Sequence, residues 1–256
     1  MQPGAHSRYH PAARRGSFRS SDDLINRIWD VSARTLELNT REFYFDGIKR
    51  DRWVWSGDAN QSYLMNYYLA FDQGTVQRTM WALRGKDPVE QHINTIVDYS
   101  FYWFVSIYDY YLFTGDKELV QRMYPRMKSL MDFVLARRNR NGLVEGLPGD
   151  WVFIDWPPQE MPKDGELSAE QLLFARSLEA MALCARLVGD SRADEYRLLA
   201  SSVPPLAAPA PMRVWISSMN RMAWGLSLSD LSTPLRRCSK SPRYLVPASK
   251  APISKE

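Results

Sequence analysis

The sequence has very little cysteine and histidine. Its 256 residues include two cysteines, Cys184 and Cys238, and three histidines, of which His6 and His10 lie near the start. So few thiols argue against a disulfide framework, and none of these residues has the spacing of a zinc site. With so little imidazole, we expect no histidine-based metal site, no catalytic triad and no cofactor.

Long apolar runs are also missing. No uncharged apolar stretch approaches the roughly 20 residues that cross a membrane. The basic start has no apolar segment behind it, so it is not a signal peptide. We therefore expect no membrane partner and a cytoplasmic location by default, while export of the parent protein stays open.

Nucleotide-binding signatures are the third absence. The glycine patterns of phosphate loops and dinucleotide folds do not occur. The net charge of +4 is small for this length and comes largely from the two ends of the chain. We therefore expect no nucleic-acid partner.

Aromatic residues are abundant, with 9 Trp and 13 Tyr. A large aromatic core and a surface that stacks on sugar rings both fit this composition. Helical periodicity recurs between residues 20 and 202, separated by Gly and Asp turns, and we see no convincing set of strands. The predicted helices cover 20–39, 57–71, 75–83, 96–113, 117–138, 167–188 and 193–200. This pattern predicts an all-α architecture of helical hairpins.

The composition divides the chain into three parts. Residues 1–19 are rich in Pro, Gly, Arg and Ser and indicate a disordered arm or linker remnant. Residues 20–202 form the helical domain, and Ser20 with Asp23 resembles a capping box at its start. Residues 203–256 hold half of the 16 Pro and almost no acidic residues. This tail is either natively disordered or foreign to the fold, as a shifted reading frame would be.

A charge-rich segment, which we call the first loop, lies between two apolar stretches. It covers residues 46–58 and reads DGIKRDRWVWSGD. Glycoside chemistry needs one carboxyl group as a general acid and another to activate water, and indoles stack on sugar faces. Asp46, Asp51 and Asp58, with Trp53 and Trp55, supply both kinds of group. A salt-bridged loop that locks two helices together explains the charges equally well.

A second loop repeats the combination of acids and indoles. It covers residues 145–156 and reads EGLPGDWVFIDW, with Asp150 beside Trp151. Loops of a helical barrel gather at one end, so both loops could line one cleft. His92, near Glu90 and Asp98, is a weaker candidate, because a lone histidine near a helix start is usually structural.

Longer motifs carry a family resemblance. The segment GSFRSSDDLINRIWDVSARTLELNTREFYFDGIKRDRWVWSGDA resembles the start of the catalytic domain of bacterial α-L-rhamnosidases of glycoside hydrolase family 78. YYLFTGDKELVQRMYPRMKSLMDFV and the triplet Gly149-Asp150-Trp151 are similar to its continuation. The resemblance spans residues 16–200 and implies a partial, truncated (α/α)6 barrel, a six-hairpin glycosidase. It also implies a rhamnoside substrate, with terminal α-L-rhamnose hydrolysed with inversion.

The resemblance assigns roles residue by residue. The family loop is similar to DCPQRDERLGWTGD, which Asp46, Arg50, Asp51, Trp55 and Asp58 match. It implies that Asp46 and Asp58 bind sugar hydroxyls, with Arg50 and Trp55 contributing to binding. Asp150 and Trp151 would line the same pocket.

The first loop departs from the family at the general acid. The family has a Glu after its second Asp, whereas this shorter loop has Arg52. The acid is therefore Asp51, which we rank first, or Asp58, or a group elsewhere, or the chemistry differs in this branch of the family. The family's general base lies on a later hairpin, so we expect this chain alone to be inactive and to expose apolar surface. A non-catalytic carbohydrate-binding remnant and a six-hairpin glycosidase for another sugar stay open.

Overall fold

The structure is a computed structural model that describes residues 10, 12–49, 51–154 and 163–203. Within these ranges the regular elements are seven α-helices and one 3-10 turn, Ile93–Thr95. The helices are α1 (Asp23–Asn39), α2 (Ser56–Leu69), α3 (Gln73–Arg84), α4 (Val97–Thr114), α5 (Lys117–Ala136), α6 (Ser168–Val188) and α7 (Ala193–Ser202). The prediction of an all-α fold is confirmed. The predicted tail lies outside the described residues, apart from Val203.

The described part of the predicted arm packs against the C-terminal end of α2. Residues 12–19 form neither helix nor strand. The backbone N–H groups of Arg15 and Gly16 both donate to the carbonyl of Leu69, at 2.7 and 2.9 Å. These bonds satisfy a carbonyl that the end of α2 would otherwise leave without an intrahelical partner.

Helix α4 lies between α2 and α6, and α5 and α7 pack against α6. Contacts between α2 and α4 follow the same order along both helices. Asp58 meets Tyr99 near the two starts, and Tyr67 stacks on Phe113 near the two ends. The helices are therefore parallel, and the loops that enter them lie at one end of the domain.

The core surrounds α4, as its nearly continuous apolar sequence predicts. Trp103, Phe104, Ile107 and Tyr110 are all fully buried. The indole N–H of Trp103 donates to the carbonyl of Met80 in α3 at 2.9 Å, so its one polar group is satisfied. No helix in the described ranges is long and apolar enough to cross a membrane.

The start of α1 differs from the predicted capping box. The N-cap is Asp22, whose carboxylate accepts from the N–H groups of Leu24 and Ile25. Ser20 lies outside the helix, and its backbone N–H donates to the side chain of Asn26. The prediction was wrong by two residues because Asp22, directly before the first helical residue, makes the cap.

Helical spacing predicts one apolar stripe on α1 and another on α2, and the stripe of α1 is buried only at its end. Leu36 is buried, whereas Leu24, Ile28 and Val31 are 56%, 56% and 66% exposed. In α2 the same type of prediction fails at Tyr68, which is 66% exposed. Helical spacing places side chains on one face, but a neighbour must cover that face before it is buried.

Candidate active site

Hydrogen bonds between its ends shape the first loop. The N–H of Asp46 donates to the carbonyl of Trp53 at 3.1 Å, and the N–H of Trp53 donates to Oδ1 of Asp46 at 3.0 Å. Asp46 therefore closes the base of the loop. The tip follows a left-handed path, with φ of 56° at Asp51 and 50° at Arg52. Such values are unfavourable for residues with a Cβ and concentrate at functional sites.

The 3-10 turn before α4 clamps the end of the first loop. The side-chain amide of Asn94 donates to the carbonyl of Val54 at 3.1 Å, and its oxygen accepts from the N–H of Ser56 at 3.0 Å. Asn94 has a φ of 57°, a left-handed value that Asn tolerates better than most residues. The clamp joins the starts of α2 and α4.

Asp58 lies in the first turn of α2 and retains solvent exposure. Its Oδ2 accepts a hydrogen bond from the hydroxyl of Tyr99, in the first turn of α4, at 3.2 Å. The pKa of Asp58 is raised, mainly because neighbouring groups desolvate the carboxyl, and further by the negative charges of Asp46 and Asp51. The bond from Tyr99 acts against this shift because it stabilises the ionised form.

The second loop packs against the start of α4. The N–H of Trp151 donates to the carbonyl of Thr95, and the carbonyl of Trp151 accepts from the N–H of Val97, both at 2.9 Å. Oδ2 of Asp150 accepts from the N–H of Leu147 at 3.3 Å, which shapes the turn before Trp151. The indole of Trp151 remains 43% exposed.

A chain of aromatic contacts connects the two loops. The ring of Tyr99 meets Trp55 edge-on at a centroid distance of 6.1 Å and Phe153 at 5.6 Å. Phe153 in turn meets Trp151 at 6.1 Å. Trp55 of the first loop and Trp151 of the second therefore lie at the same end of the domain, as the loop patterns suggested.

Two buried carboxyl groups lie beneath the second loop. Asp98 is fully buried, and its carboxylate accepts from the N–H groups of Phe153 at 2.9 Å and Ile154 at 3.3 Å. Glu170, in the first turn of α6, is 1% exposed, and neither carboxyl oxygen has a hydrogen-bond partner among the described residues. Burial raises the pKa of both groups, and for Glu170 the negative charge of Asp98 adds to the increase.

His92 is a packed core residue in this structure. Its Nδ1 lies 3.0 Å from the hydroxyl of Ser100, and its ring meets Phe133 edge-on at 5.1 Å. Burial lowers its pKa to about 4, which keeps the ring neutral near pH 7. Within the described ranges, no three or more His, Cys, Asp or Glu residues come together as a possible metal site.

The predicted site residues divide into three groups. Asp46, Asp58 and Trp55 lie together near Tyr99, and Asp150 and Trp151 approach the same end of α4. Asp51 is at the exposed tip of the first loop. Arg50 lies outside the described residues, as do Asp155 and Trp156 of the second loop.

Sequence reasoning missed Asn94, Tyr99 and Phe153, which join the two loops, and considered Asp98 only as a neighbour of His92. Residues 96–113 are apolar on most sides, which predicts a buried helix and gives no sign of a site at its first turn. The available signal was the pair Asp98-Tyr99, two polar groups at the start of an otherwise apolar helix. Polar groups in such a position need partners, and the entering loops supply them.

Helical hairpins with acids and indoles gathered at one end define a glycosidase-type helical domain. The sequence model of the bacterial alpha-L-rhamnosidase 6 hairpin glycosidase domain matches residues 13–205. The chain belongs to this family, and the resemblance inferred from its motifs is confirmed.

Individual relatives agree with the family assignment. An alpha-L-rhamnosidase of Formosa agariphila is 26% identical over 184 residues, which cover 62% of this chain and 19% of that protein. The GH78 family rhamnosidase of Bacillus sp. GL1 superposes with a TM-score of 0.68 at 25% identity, over 76% of this chain and 21% of that one. The chain thus spans about a fifth of the length of these two proteins.

A third relative supports the fold alone. The rhamnosidase from Klebsiella oxytoca, solved with rhamnose bound, superposes with a TM-score of 0.62 at 24% identity. The superposition covers 75% of this chain and 39% of that chain. The prediction of a six-hairpin glycosidase fold is therefore supported by two solved structures.

Proposed function

We propose that this chain forms the sugar-binding and proton-donating side of an α-L-rhamnosidase active site. The reaction would release terminal α-L-rhamnose from glycosides with inversion. The observation that carries the proposal is the meeting of both acid-and-indole loops at the start of α4, where Tyr99 contacts Asp58, Trp55 and Phe153. The names of the relatives support this substrate class.

Within this proposal, Asp58 is the preferred proton donor. A general acid must be protonated when the glycosidic bond breaks, and a raised pKa favours that state. The pKa of Asp58 is raised by desolvation and by the charges of Asp46 and Asp51, and its carboxylate is held by Tyr99; both Asp58 and Asp51 retain solvent exposure. This order reverses the one inferred from the sequence of the first loop, in which Asp51 stood first.

The other residues of the two loops would bind the sugar. Asp46 is held by its bonds with Trp53, which leaves a rigid carboxylate at the base of the first loop. Trp55 is half-buried and Trp151 is 43% exposed, so each offers an indole surface to a pyranose ring. Arg50 and Asp150 remain proposed binding residues.

A carbohydrate-binding remnant without turnover is the second candidate. The observation in its favour is Arg52, which stands where related loops carry the acidic Glu and is exposed beside Asp51. A related six-hairpin glycosidase with another sugar specificity is the third candidate, because the altered first loop leaves the sugar specificity open.

Calorimetry with L-rhamnose and hydrolysis of p-nitrophenyl α-L-rhamnoside test the proposal. We expect L-rhamnose to bind, and Asp58→Asn to reduce any hydrolysis by roughly a hundredfold or more. Asp30→Asn, which changes an exposed acid on α1, is the matched control and should leave both measurements unchanged.

The other outcomes identify the alternatives. Binding of L-rhamnose without hydrolysis is expected of this chain alone and agrees with the binding remnant as well, whereas hydrolysis that Asp58→Asn abolishes would exclude the remnant. Binding of a different monosaccharide, with no response to L-rhamnose, favours another specificity. No binding of any monosaccharide would overturn the proposed function.

A further inference from the structure

The first turn of α4 holds both loops at once. On one side, the hydroxyl of Tyr99 donates to Oδ2 of Asp58 at 3.2 Å. On the other side, the neighbouring carboxylate of Asp98 accepts from the N–H groups of Phe153 and Ile154. Two consecutive residues of one rigid helix therefore set the distance between the loops.

The ring of Tyr99 is itself fixed on several sides. Trp55, Tyr102 and Phe153 meet it edge-on at centroid distances of 6.1, 6.4 and 5.6 Å. Tyr99 is only 6% exposed, so its hydroxyl has little freedom to turn away from Asp58.

Gly57 makes this approach possible. A Cβ at position 57 would lie 2.7 Å from Cε1 of Tyr99, closer than real Cβ contacts occur. Gly57 has no positive φ, so the glycine is required here by space rather than by backbone conformation. The residue beside Asp58 thus leaves room for the ring that orients Asp58.

We infer that Tyr99 is a positioning residue: its hydroxyl holds the carboxyl of Asp58 in the orientation that meets the sugar. The inference rests on the proposed function, in which Asp58 contacts the substrate. A phenol that donates to a carboxylate stabilises the ionised form. Loss of this bond should therefore release the side chain of Asp58 and increase its proton affinity together.

Carbon-detected NMR titration of the Asp58 carboxyl tests the contact without any sugar. In Tyr99→Phe, which keeps the ring, the midpoint of Asp58 should move to higher pH. Gly57→Ala keeps the hydroxyl but displaces the ring, so it should shift the midpoint in the same direction. Tyr111→Phe removes a hydroxyl further along α4 and serves as the control, with no shift expected.

Binding of L-rhamnose, measured by calorimetry on the same variants, tests the role. We expect Tyr99→Phe to weaken binding roughly tenfold, and the control to bind like the wild type. An unchanged Asp58 midpoint in Tyr99→Phe, with a native amide spectrum, would overturn the inference. Failure of the wild type to bind the sugar would overturn the proposed function instead, and the titration would still judge the contact of Tyr99 with Asp58.

Discussion

Three carboxyl groups near the candidate site have their pKa changed chiefly by desolvation. Asp58, Asp98 and Glu170 all have a raised pKa, and desolvation is the largest cause in each case. Their hydrogen bonds differ: Asp98 accepts two backbone N–H groups and Asp58 one hydroxyl. The oxygens of Glu170 have no partner among the described residues. Glu170 is therefore the residue where burial should cost the most stability.

We predict that Glu170→Gln stabilises the fold at neutral and alkaline pH. The folded-state pKa of Glu170 is raised well above its ordinary value of 4.5. The protonated acid makes its full contribution to the stability of the fold below the ordinary pKa of 4.5. This contribution is lost as the pH rises through the folded-state pKa. Gln has the same size and no charge. The free energy of unfolding at pH 8 should therefore be roughly 1–3 kcal/mol higher in the variant than in the wild type.

Denaturant unfolding at pH 4 and pH 8 checks this prediction. The two proteins should be equally stable at pH 4 and should separate as the pH rises. Glu118→Gln is the control, because Glu118 also lies in the first turn of a helix but is exposed. A variant that is less stable than the wild type at pH 8 would show that Glu170 is stabilised by its surroundings.

At the level of elements, short segments between helices define the candidate site. The 3-10 turn Ile93–Thr95 links the first loop to α4, and the second loop pairs with Ile96 through Trp151. Asn94 and Trp151, which make these links, lie outside the α-helices. They work because α2 and α4 are parallel and rigid, so two hydrogen bonds at one end fix the loops between them.

We predict that Asn94→Gly loosens the first loop without changing the backbone path. Gly accepts the left-handed φ of 57° at this position, so the substitution removes only the bonds to Val54 and Ser56. Hydrogen exchange of the Ser56 amide should become at least several times faster, and stability should fall by about 1–2 kcal/mol.

Thr95→Gly provides a matched control for this change. Thr95 also has a positive φ, of 62°, and its hydroxyl donates only to the adjacent Asn94 carbonyl among the bonds described. Both variants add the same backbone freedom to the unfolded chain. Equal acceleration of Ser56 exchange in the two variants would mean that the Asn94 side chain does not clamp the loop.

At the scale of the molecule, the part of the chain that the structure describes carries an exposed apolar stripe on α1. Leu24, Ile25, Ile28 and Val31 are 45–66% exposed at nearly helical spacing. Apolar stripes of this kind favour association with other apolar surfaces. The stripe also agrees with the expectation that this chain exposes apolar surface.

We predict that Ile28→Lys with Val31→Lys reduces self-association while the fold remains intact. The added charges oppose contact between stripes, and both side chains already face solvent, so unfolding free energy should change by less than roughly 1 kcal/mol. Light scattering across a concentration series measures the effect. Ser32→Lys with Thr35→Lys adds the same charge on exposed polar positions of the same helix; equal behaviour of the two double variants would assign the effect to net charge alone.

Much of the fold could be predicted because helices and turns are local. Helical periodicity located all seven described helices to within a few residues, and the continuous apolar run of α4 correctly predicted its burial. The two loops could also be predicted, since acids beside Trp between helices are visible in the sequence. The exposed face of α1 could not be predicted, because burial depends on which neighbour covers a face.

The sequence by itself determined the all-α class, the helices, the two acid-and-indole loops and the family. Only the tertiary structure decided that Tyr99 reaches Asp58 across 41 positions of the chain, that Asp98 holds the second loop, and that desolvation raises the pKa of Asp58. The reason is physical: periodicity and turn chemistry act between near neighbours in the chain. Desolvation and hydrogen bonding at the site depend on groups that only folding brings together.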